Sequence, residues 1–441
     1  MSLEKHLIAG AASVIITPDE PHFLFGFPYV ERTSMGTHDE LLSTAIYLSD
    51  GEKQAVFISN DLLYVSKDSV KRIREEIFKR TGIPGSSILV AATHTHSAPV
   101  TVDLATSEND SVVPPADQKY LRFFERKVVE AACEAYGNAE FAEVAFTCAD
   151  ASGIGTNRHD PSASSDMEVP VMVLRNIHKQ YIACMLVCSM HPTILHENSK
   201  YYSGDFPHYV REQLQQEILG EKCPVAYFTG TAGNQTPRHV TRENTFAEAA
   251  RIGKIVSASV VSCMKGGLLY FGSPVLSVSS ISTDLPRRSF PDVAWAELQR
   301  DASRARFEEL KKGSGTPQAV RSAEVDWFGS EELLYLSCKA HSGGLEPYYE
   351  SCLPAEVQII KVWEWIFAAW PGEIFVEYGL ALKQRFEKFS LITCANGELQ
   401  GYIVTKGSLE KGYYEAGNSL FDYRTGELFQ EQTIELLNSM Q

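Results

Sequence analysis

The chain contains no run of about twenty apolar residues, so no membrane-spanning helix is expected along it. It also lacks a basic patch: 40 Lys and Arg stand against 56 Asp and Glu, giving a formal net charge of −16. The acids are scattered rather than gathered in a tail. That balance speaks for solubility and against nucleic-acid or anionic-membrane partners. No CxxC pair occurs among the nine cysteines. An odd count, with Cys184 and Cys188 inside apolar segments, suits reduced thiols and a cytoplasmic location. The first apolar run, Leu7 to Ile16, has no basic flank or small-residue cleavage site and is broken by Pro18, so it reads as a strand. Internal repeats are absent.

What is present is an alternation of strands and helices. Ala55 to Ser59 reads as a buried strand. Val70, Ile73 and Ile77 then recur at helical spacing, with Ser66 as N-cap, and Ile88 to Ala92 is a second strand. That βαβ unit predicts two parallel neighbours. Val171 to Leu174 and Ile182 to Val187 flank the turn Asn176 to Lys179 as a hairpin, so the sheet is mixed. Val225 to Phe228 is a further strand, Ala247 to Met264 a helix of small residues, and Val293 to Lys312 a charged surface helix. Thr106 to Gln118 and Gly343 to Pro354 read as flexible loops over a site. The expected fold is α/β, a mixed β-sheet core flanked by helices, in one domain spanning 1–441, with the site at the carboxyl ends of strands.

Polar residues interrupt the apolar strands at four places. Ile88 to Ala92 runs into Thr93-His94-Thr95-His96-Ser97-Ala98-Pro99, and the strand ending at Met190 runs into His191-Pro192-Thr193. Val225 to Phe228 meets a loop containing Ala232-Gly233-Asn234-Gln235-Thr236-Pro237, and Val362 to Trp370 meets Pro371-Gly372-Glu373. Ligand sites in open α/β sheets gather at such strand ends, so the four can converge on one crevice. Side chains of a His-x-His on a strand share a face, and neutral imidazoles there are common metal ligands. Taken singly the elements have plainer readings: His191 as a hydrogen-bonded core histidine, Glu373 as a carboxylate at a helix start, the Asn234 loop as a turn. His38-Asp39, His159-Asp160 and His208 read as structural.

In combination these segments resemble the catalytic domain of the neutral (non-lysosomal) ceramidases, zinc-dependent amidases that cleave an N-acyl bond. The resemblance also takes in Gly36-Thr37-His38-Asp39, Asn157-Arg158, Ser203-Gly204-Asp205, Gly401-Tyr402-Ile403-Val404-Thr405 and Tyr414-Glu415-Ala416-Gly417, nearly the whole chain. It implies one zinc ion (Zn2+) per chain, held by His94, His191, Glu373 and Tyr402. It implies catalytic roles for His96, Arg158 and Tyr414 beside the metal, and substrate contacts from Asn234 and Thr236. Thr236 stands where these enzymes usually carry serine. The sequence also leaves no room after Tyr414 for their carboxy-terminal immunoglobulin-like domain and has no counterpart of their secretory signal.

The activity so implied is metal-assisted hydrolysis of a linear amide, with a small-molecule N-acyl substrate that need not be ceramide. Its place in lipid metabolism and the oligomeric state are left open. His96 would pass a proton to the leaving amine or hold substrate, and Arg158 and Tyr414 would stabilise the developing oxyanion. Three rivals remain open to test. An amidohydrolase barrel needs eight βα repeats, a phosphoesterase wants an Asp-His pair after the first histidines, and a binding protein could occupy the same scaffold without catalysis.

Overall fold

The amino-terminal apolar run is a strand, β1 (Ile8–Ile15), in the middle of the largest sheet. The computed structural model describes residues 6–313 and 315–440. The next strands are β2 (Leu42–Ser49), β3 (Gln54–Asn60), β4 (Ile88–Ala92), β5 (Glu140–Asp150), the short β6 (Thr156–Asn157), β7 (Glu168–Asn176), β8 (Tyr181–Cys188) and β9 (Val225–Thr229). All but β6 form one sheet, in the order β4-β3-β2-β1-β5-β7-β8-β9. It is mixed as expected: β3 and β4 are parallel, β8 and β9 are parallel, and β7 and β8 are antiparallel. Helix α1 (Lys67–Thr81) makes the crossover from β3 to β4, and the Ser66 hydroxyl caps it by accepting from Ser69 N–H.

A second sheet was hidden in the sequence. After β10 (Gln235–Thr236), which pairs with β6, the strands β11 (Leu276–Thr283), β12 (Ala355–Val362) and β13 (Trp365–Ala369) run antiparallel, and β15 (Phe389–Ile392) joins β13 in parallel. The apolar run Val362 to Trp370 is therefore the end of β12 and the whole of β13, the two inner strands of this sheet, joined by a hairpin turned at Trp363, whose φ is +57°. Between them lies β14 (Glu373–Ile374), paired in parallel with β16 (Tyr402–Ile403).

The two sheets pack face to face, with helices outside each. Along β3, Ala55 and Phe57 point to the second sheet while Val56 and Ile58 point to the helices, the period of two at work. Phe57 meets Phe367 edge to face at 5.5 Å. Val56 and Ile58 lie under α1 and α2 (Gln118–Gly137). Over β7 to β9 lie α3 (Phe206–Leu214) and α4 (Phe246–Lys265). On the far side of the second sheet pack α8 (Val376–Arg385) and α11 (Arg424–Ser439). Strands buried on both faces need apolar residues at nearly every position. Each such Phe, Leu or Ile contributes about 1.5–3 kcal/mol of burial.

The remaining helices are α5 (Val293–Lys312), α6 (Pro317–His341), α7 (Glu346–Cys352), α9 (Lys406–Lys411) and α10 (Tyr414–Gly417). Gly343 to Pro354 is not a loop over the site: α7 buries Tyr349 and Cys352 in the core of the second sheet. Thr106 to Gln118 does border the site, but it is tied down. Glu108 accepts from Tyr335 and Lys339 at 2.6 Å each and from Tyr348, and Asp110 accepts from Tyr29 N–H. All nine cysteines are free thiols. No helix among the described residues is long and apolar enough to cross a membrane.

Candidate metal centre and catalytic cleft

Strands β4 and β9 lie at opposite edges of the large sheet, yet their carboxyl ends meet. The segment following β15 closes the gap: Thr393 N–H donates to Thr229 O (2.9 Å), Ala92 N–H to Cys394 O (3.1 Å), and Asn396 N–H to Val90 O (2.7 Å). The Thr229 hydroxyl adds a bond to Thr93 O at 2.6 Å. Curling the sheet in this way brings the ends of β4 and β8 together, and with them the histidines.

His94, His96 and His191 form one group, with one ring nitrogen from each lying within 4.8 Å of the other two. The ring centroids lie 4.9 Å (His94–His191), 5.1 Å (His94–His96) and 5.9 Å (His96–His191) apart. The reason is not the strand period, because both residues of the His-x-His lie past the end of β4. His94 instead adopts φ +66°, a left-handed conformation that costs a non-glycine residue roughly 1–2 kcal/mol and turns the chain so that the rings converge at right angles. Each imidazole is tethered through Nδ1 to a backbone carbonyl: His94 to Leu63 O (3.0 Å), His96 to Gly26 O (2.8 Å) and His191 to Ala232 O (2.6 Å). In the neutral ring that pattern puts the proton on Nδ1 and leaves the Nε2 lone pair to ligate, the tautomer in which metal-binding histidines are held. Nε2 of His96 is buried with no hydrogen-bond partner.

Glu373 supplies a carboxylate to the group. Its Oε2 lies 3.0 Å from His191 Nε2 and 3.2 Å from His94 Nε2, and its Oε1 accepts from the Tyr64 hydroxyl. Burial opposes charge there, but His94 and then His191 hold the carboxyl well below its usual range, and Glu373 in turn holds His94 well above. His191 is pushed down to about 4 by burial and then by Arg158, and His96 falls well below its usual value by burial and the neighbouring imidazoles. Both therefore offer lone pairs. Three imidazoles and a carboxylate, with Nε2 of His94 and His191 gathered on Glu373 Oε2 and Nε2 of His96 buried and unpartnered beside them, fit a divalent cation such as zinc. His96, expected beside the metal, lies in the same cluster of nitrogens that could hold it.

Tyr402 stands across the β14–β16 ladder from Glu373, its register partner. Arg158 follows β6, and its N–H donates to Asn234 O at 2.7 Å, which carries the guanidinium over the Tyr402 ring at 5.9 Å and sets Nη2 3.2 Å from His191 Nδ1. Its other end is held by the fully buried Glu415, 2.9 Å from Nη1. His159, read as structural, stands 3.0 Å from the same carboxylate and stacks on Tyr413 at 3.7 Å. Tyr414 lies 6.1 Å from Tyr402, ring to ring, and burial followed by Glu332 keeps its hydroxyl protonated as a donor.

Asn234 and Thr236 do not face this space. The Asn234 amide bonds Val376 N–H (2.8 Å) and Glu377 (2.9 Å), and the Thr236 hydroxyl caps a short 3-10 turn by accepting from Arg238 N–H. Their loop contributes the Ala232 carbonyl that anchors His191. Gly233 is required because a Cβ there would meet Ile374 O at 2.8 Å. A narrow cleft of about 90 Å³ opens onto the donor group between Phe25, Phe27, Leu104, Val113, Tyr402 and Tyr414. Two of its residues escaped sequence reasoning. Tyr64 follows the polar break Asn60-Asp61 at the end of β3, the same signal used at the other strand ends. Glu332, pushed up to about 8 by burial, sits on α6 with Oε2 unpartnered, and a lone acid in a helical stretch carries no sequence signal.

Fold and site together define a class: a two-sheet α/β sandwich with a histidine–carboxylate group at its strand ends, able to hold a metal ion. Known structures narrow it. A neutral ceramidase from Pseudomonas aeruginosa matches with a TM-score of 0.77 at 15% identity, covering 99% of this chain and 75% of that one. A ceramidase complexed with C2 matches at TM-score 0.75 and 14% identity, covering 99% and 76%. No family model and no curated protein matches the sequence. The chain has a neutral-ceramidase-like fold.

Proposed function

We propose that the protein is a metal-dependent hydrolase of N-acyl amide bonds, with one zinc ion per chain and a soluble, short-chain N-acyl substrate in a cytoplasmic setting. The observation that carries it is the set of carbonyl-tethered imidazoles of His94, His96 and His191, gathered with Glu373 in a ceramidase-like fold. These four would hold the metal, with Tyr402 at their edge. When bound, the metal supplies Lewis acidity toward the scissile carbonyl and a nucleophilic water near neutral pH. Arg158 and the Tyr414 hydroxyl are donors suited to negative charge developing on that carbonyl, where one donor can contribute roughly 3 kcal/mol. Glu415 and His159 keep Arg158 in place, and the Tyr64 hydroxyl fixes the Glu373 carboxylate.

The soluble substrate follows from the cleft, too narrow for two lipid chains, and from a rim carrying Thr106, Ser107 and Asp110. Free thiols throughout agree with a reducing compartment. Elemental analysis of the purified protein, with hydrolysis of N-acyl amides of graded chain length in the presence and absence of detergent, tests the reading. About one metal per chain and fastest turnover of a short soluble amide are expected. A folded protein that binds no metal overturns the activity, and faster cleavage of long-chain ceramide than of every soluble amide overturns the substrate.

A further inference from the structure

Behind Arg158 and Tyr414 lies a second, larger cavity of about 730 Å³, enclosed by α5, α6 and the segment around α9 and α10. Tyr414 lines both this cavity and the narrow cleft, so the two spaces meet at one side chain beside the donor group. Its charge runs against that of the chain. On a protein of net charge −16 it gathers five cationic side chains, Arg158, Arg238, Arg288, Arg306 and Lys411, against two carboxylates, Asp326 and Glu415.

Both carboxylates are already engaged. Glu415 is bound by Arg158 and flanked by His159, and Asp326 lies 3.3 Å from Arg306. The other three cations make no close ion pair among the described residues. Arg288 donates to the carbonyls of Ala416 and Ser419, and Lys411 lies over the Tyr413 ring at 5.6 Å. The Arg238 guanidinium has no hydrogen bond or ion pair among the described residues, although it lines the cavity. Burial, and for Arg238 the repulsion of Arg158 and Arg321, pushes both Arg238 and Arg288 down to about 10. Holding desolvated guanidinium groups together with carboxylates only at longer range is costly, and an oxyanion accepted by the Arg fork reduces that cost.

We propose that this cavity is the subsite for an anionic group on the amine portion of the substrate, a carboxylate or a phosphate monoester, with Arg238 and Lys411 as its principal recognition residues. The proposal rests on the amide-hydrolase reading and deepens it. An amide cleaved at the donor group carries two substituents. Phe25, Phe27, Leu104 and Val113 in the narrow cleft suit a short acyl chain, and the cationic cavity suits a charged amine. Like charges focused in a concave wall also raise the local concentration of an anionic substrate, an effect that salt screens.

Three amides of one acyl length test it: N-hexanoylglycine, N-hexanoyl-O-phosphoethanolamine and the neutral N-hexanoylethanolamine. In the metal-loaded wild-type protein, at least one anionic amide should exceed the neutral one about tenfold in kcat/KM, and which of them does so separates carboxylate from phosphate. That ratio should fall toward one in Arg238→Gln and in Lys411→Gln, chiefly through KM for the anionic amide. A wild-type ratio of one or less, or a ratio unchanged in both variants, overturns the subsite. If no amide is hydrolysed, the hydrolase reading falls by itself. Calorimetric titration with the two anionic amides then decides the cavity: binding weakened about tenfold in Arg238→Gln supports it, and no binding, or equal binding, overturns it.

Discussion

Glu415→Gln asks whether Arg158 is held at the centre by a single buried anion. The side chains are 0% and 11% exposed and 2.9 Å apart. At that distance two unit charges attract by roughly 6 kcal/mol in an effective dielectric of about 20, much of it offset by desolvation. Removing one partner leaves a buried cation uncompensated, at a cost of about 3–5 kcal/mol. A neutral glutamine oxygen still accepts one hydrogen bond and returns about 1 kcal/mol. The expected net loss is therefore about 2–4 kcal/mol, read as a lower urea midpoint. Turnover should fall by about 10²–10³, as when a donor to a developing oxyanion is lost, while metal content stays at the wild-type level. Replacing both residues, as Arg158→Met with Glu415→Gln, removes the stranded charge and should recover most of the stability but none of the turnover. The reasoning fails if the single variant keeps its midpoint and its turnover, or if the double variant is no more stable than the single.

Three further outcomes are expected. His96→Ala, like His94→Ala and His191→Ala, should weaken metal binding at least about 100-fold in competition with a chelator, as loss of a donor requires; a His96→Ala protein with wild-type affinity would return His96 to a place beside the metal. Gly26→Ala places a Cβ 2.3 Å from His96 Nδ1 at a φ of +119°, so it should displace the ring and cost at least tenfold in turnover; full activity would mean the Gly26 carbonyl does not position His96. Asp205, buried at the start of α3 beside Asp39, has its pKa pushed up to about 7 by burial, against bonds from Leu195 and Phe206 N–H. Its folded pKa exceeds the unfolded value of about 3.9, so its contribution is present below pH 4 and is lost as pH rises to 7. Asp205→Asn should flatten the stability difference between pH 5 and pH 8 by about 2–3 kcal/mol; an unchanged profile refutes it.

The parts of this molecule legible in sequence are those where one signal has one physical cause. Val70, Ile73 and Ile77 repeat at helical spacing because only one face of α1 meets the sheet, and β3, β4, β8 and β9 are continuous apolar runs because both their faces are covered. The strand-end breaks at His94, His191 and Glu373 marked the site for a similar reason, since a polar group stands at the end of a buried strand only where something holds it. What failed to read was long-range. Nothing local says that the run from Val362 to Trp370 forms the inner hairpin of a second sheet, or that the residues after β15 tie β4 to β9. The bonds of the Asn234 amide were not legible because its partners, Val376 and Glu377, lie more than 140 positions away in sequence. His96 converges with His94 through a left-handed turn at His94 itself, which residue type alone does not announce.

The donor group and the cavities beside it are built on different principles, and that difference bears on where substrate choice resides. Every imidazole is fixed by a backbone carbonyl, from Leu63, Gly26 or Ala232, and Glu373 is fixed by a strand register with Tyr402 and by the Tyr64 hydroxyl. Anchors of that kind depend on the sheets and the turns at their ends, so the chemistry can persist while surface segments change. The walls of the larger cavity come instead from α5, α6 and the segment around α9, and its unpaired cations, Arg238 on a short turn and Lys411 at a helix end, are held by few bonds. Residues of that second kind can be exchanged without disturbing the metal donors. The charge of those walls can therefore change while the strand-end histidines stay as they are.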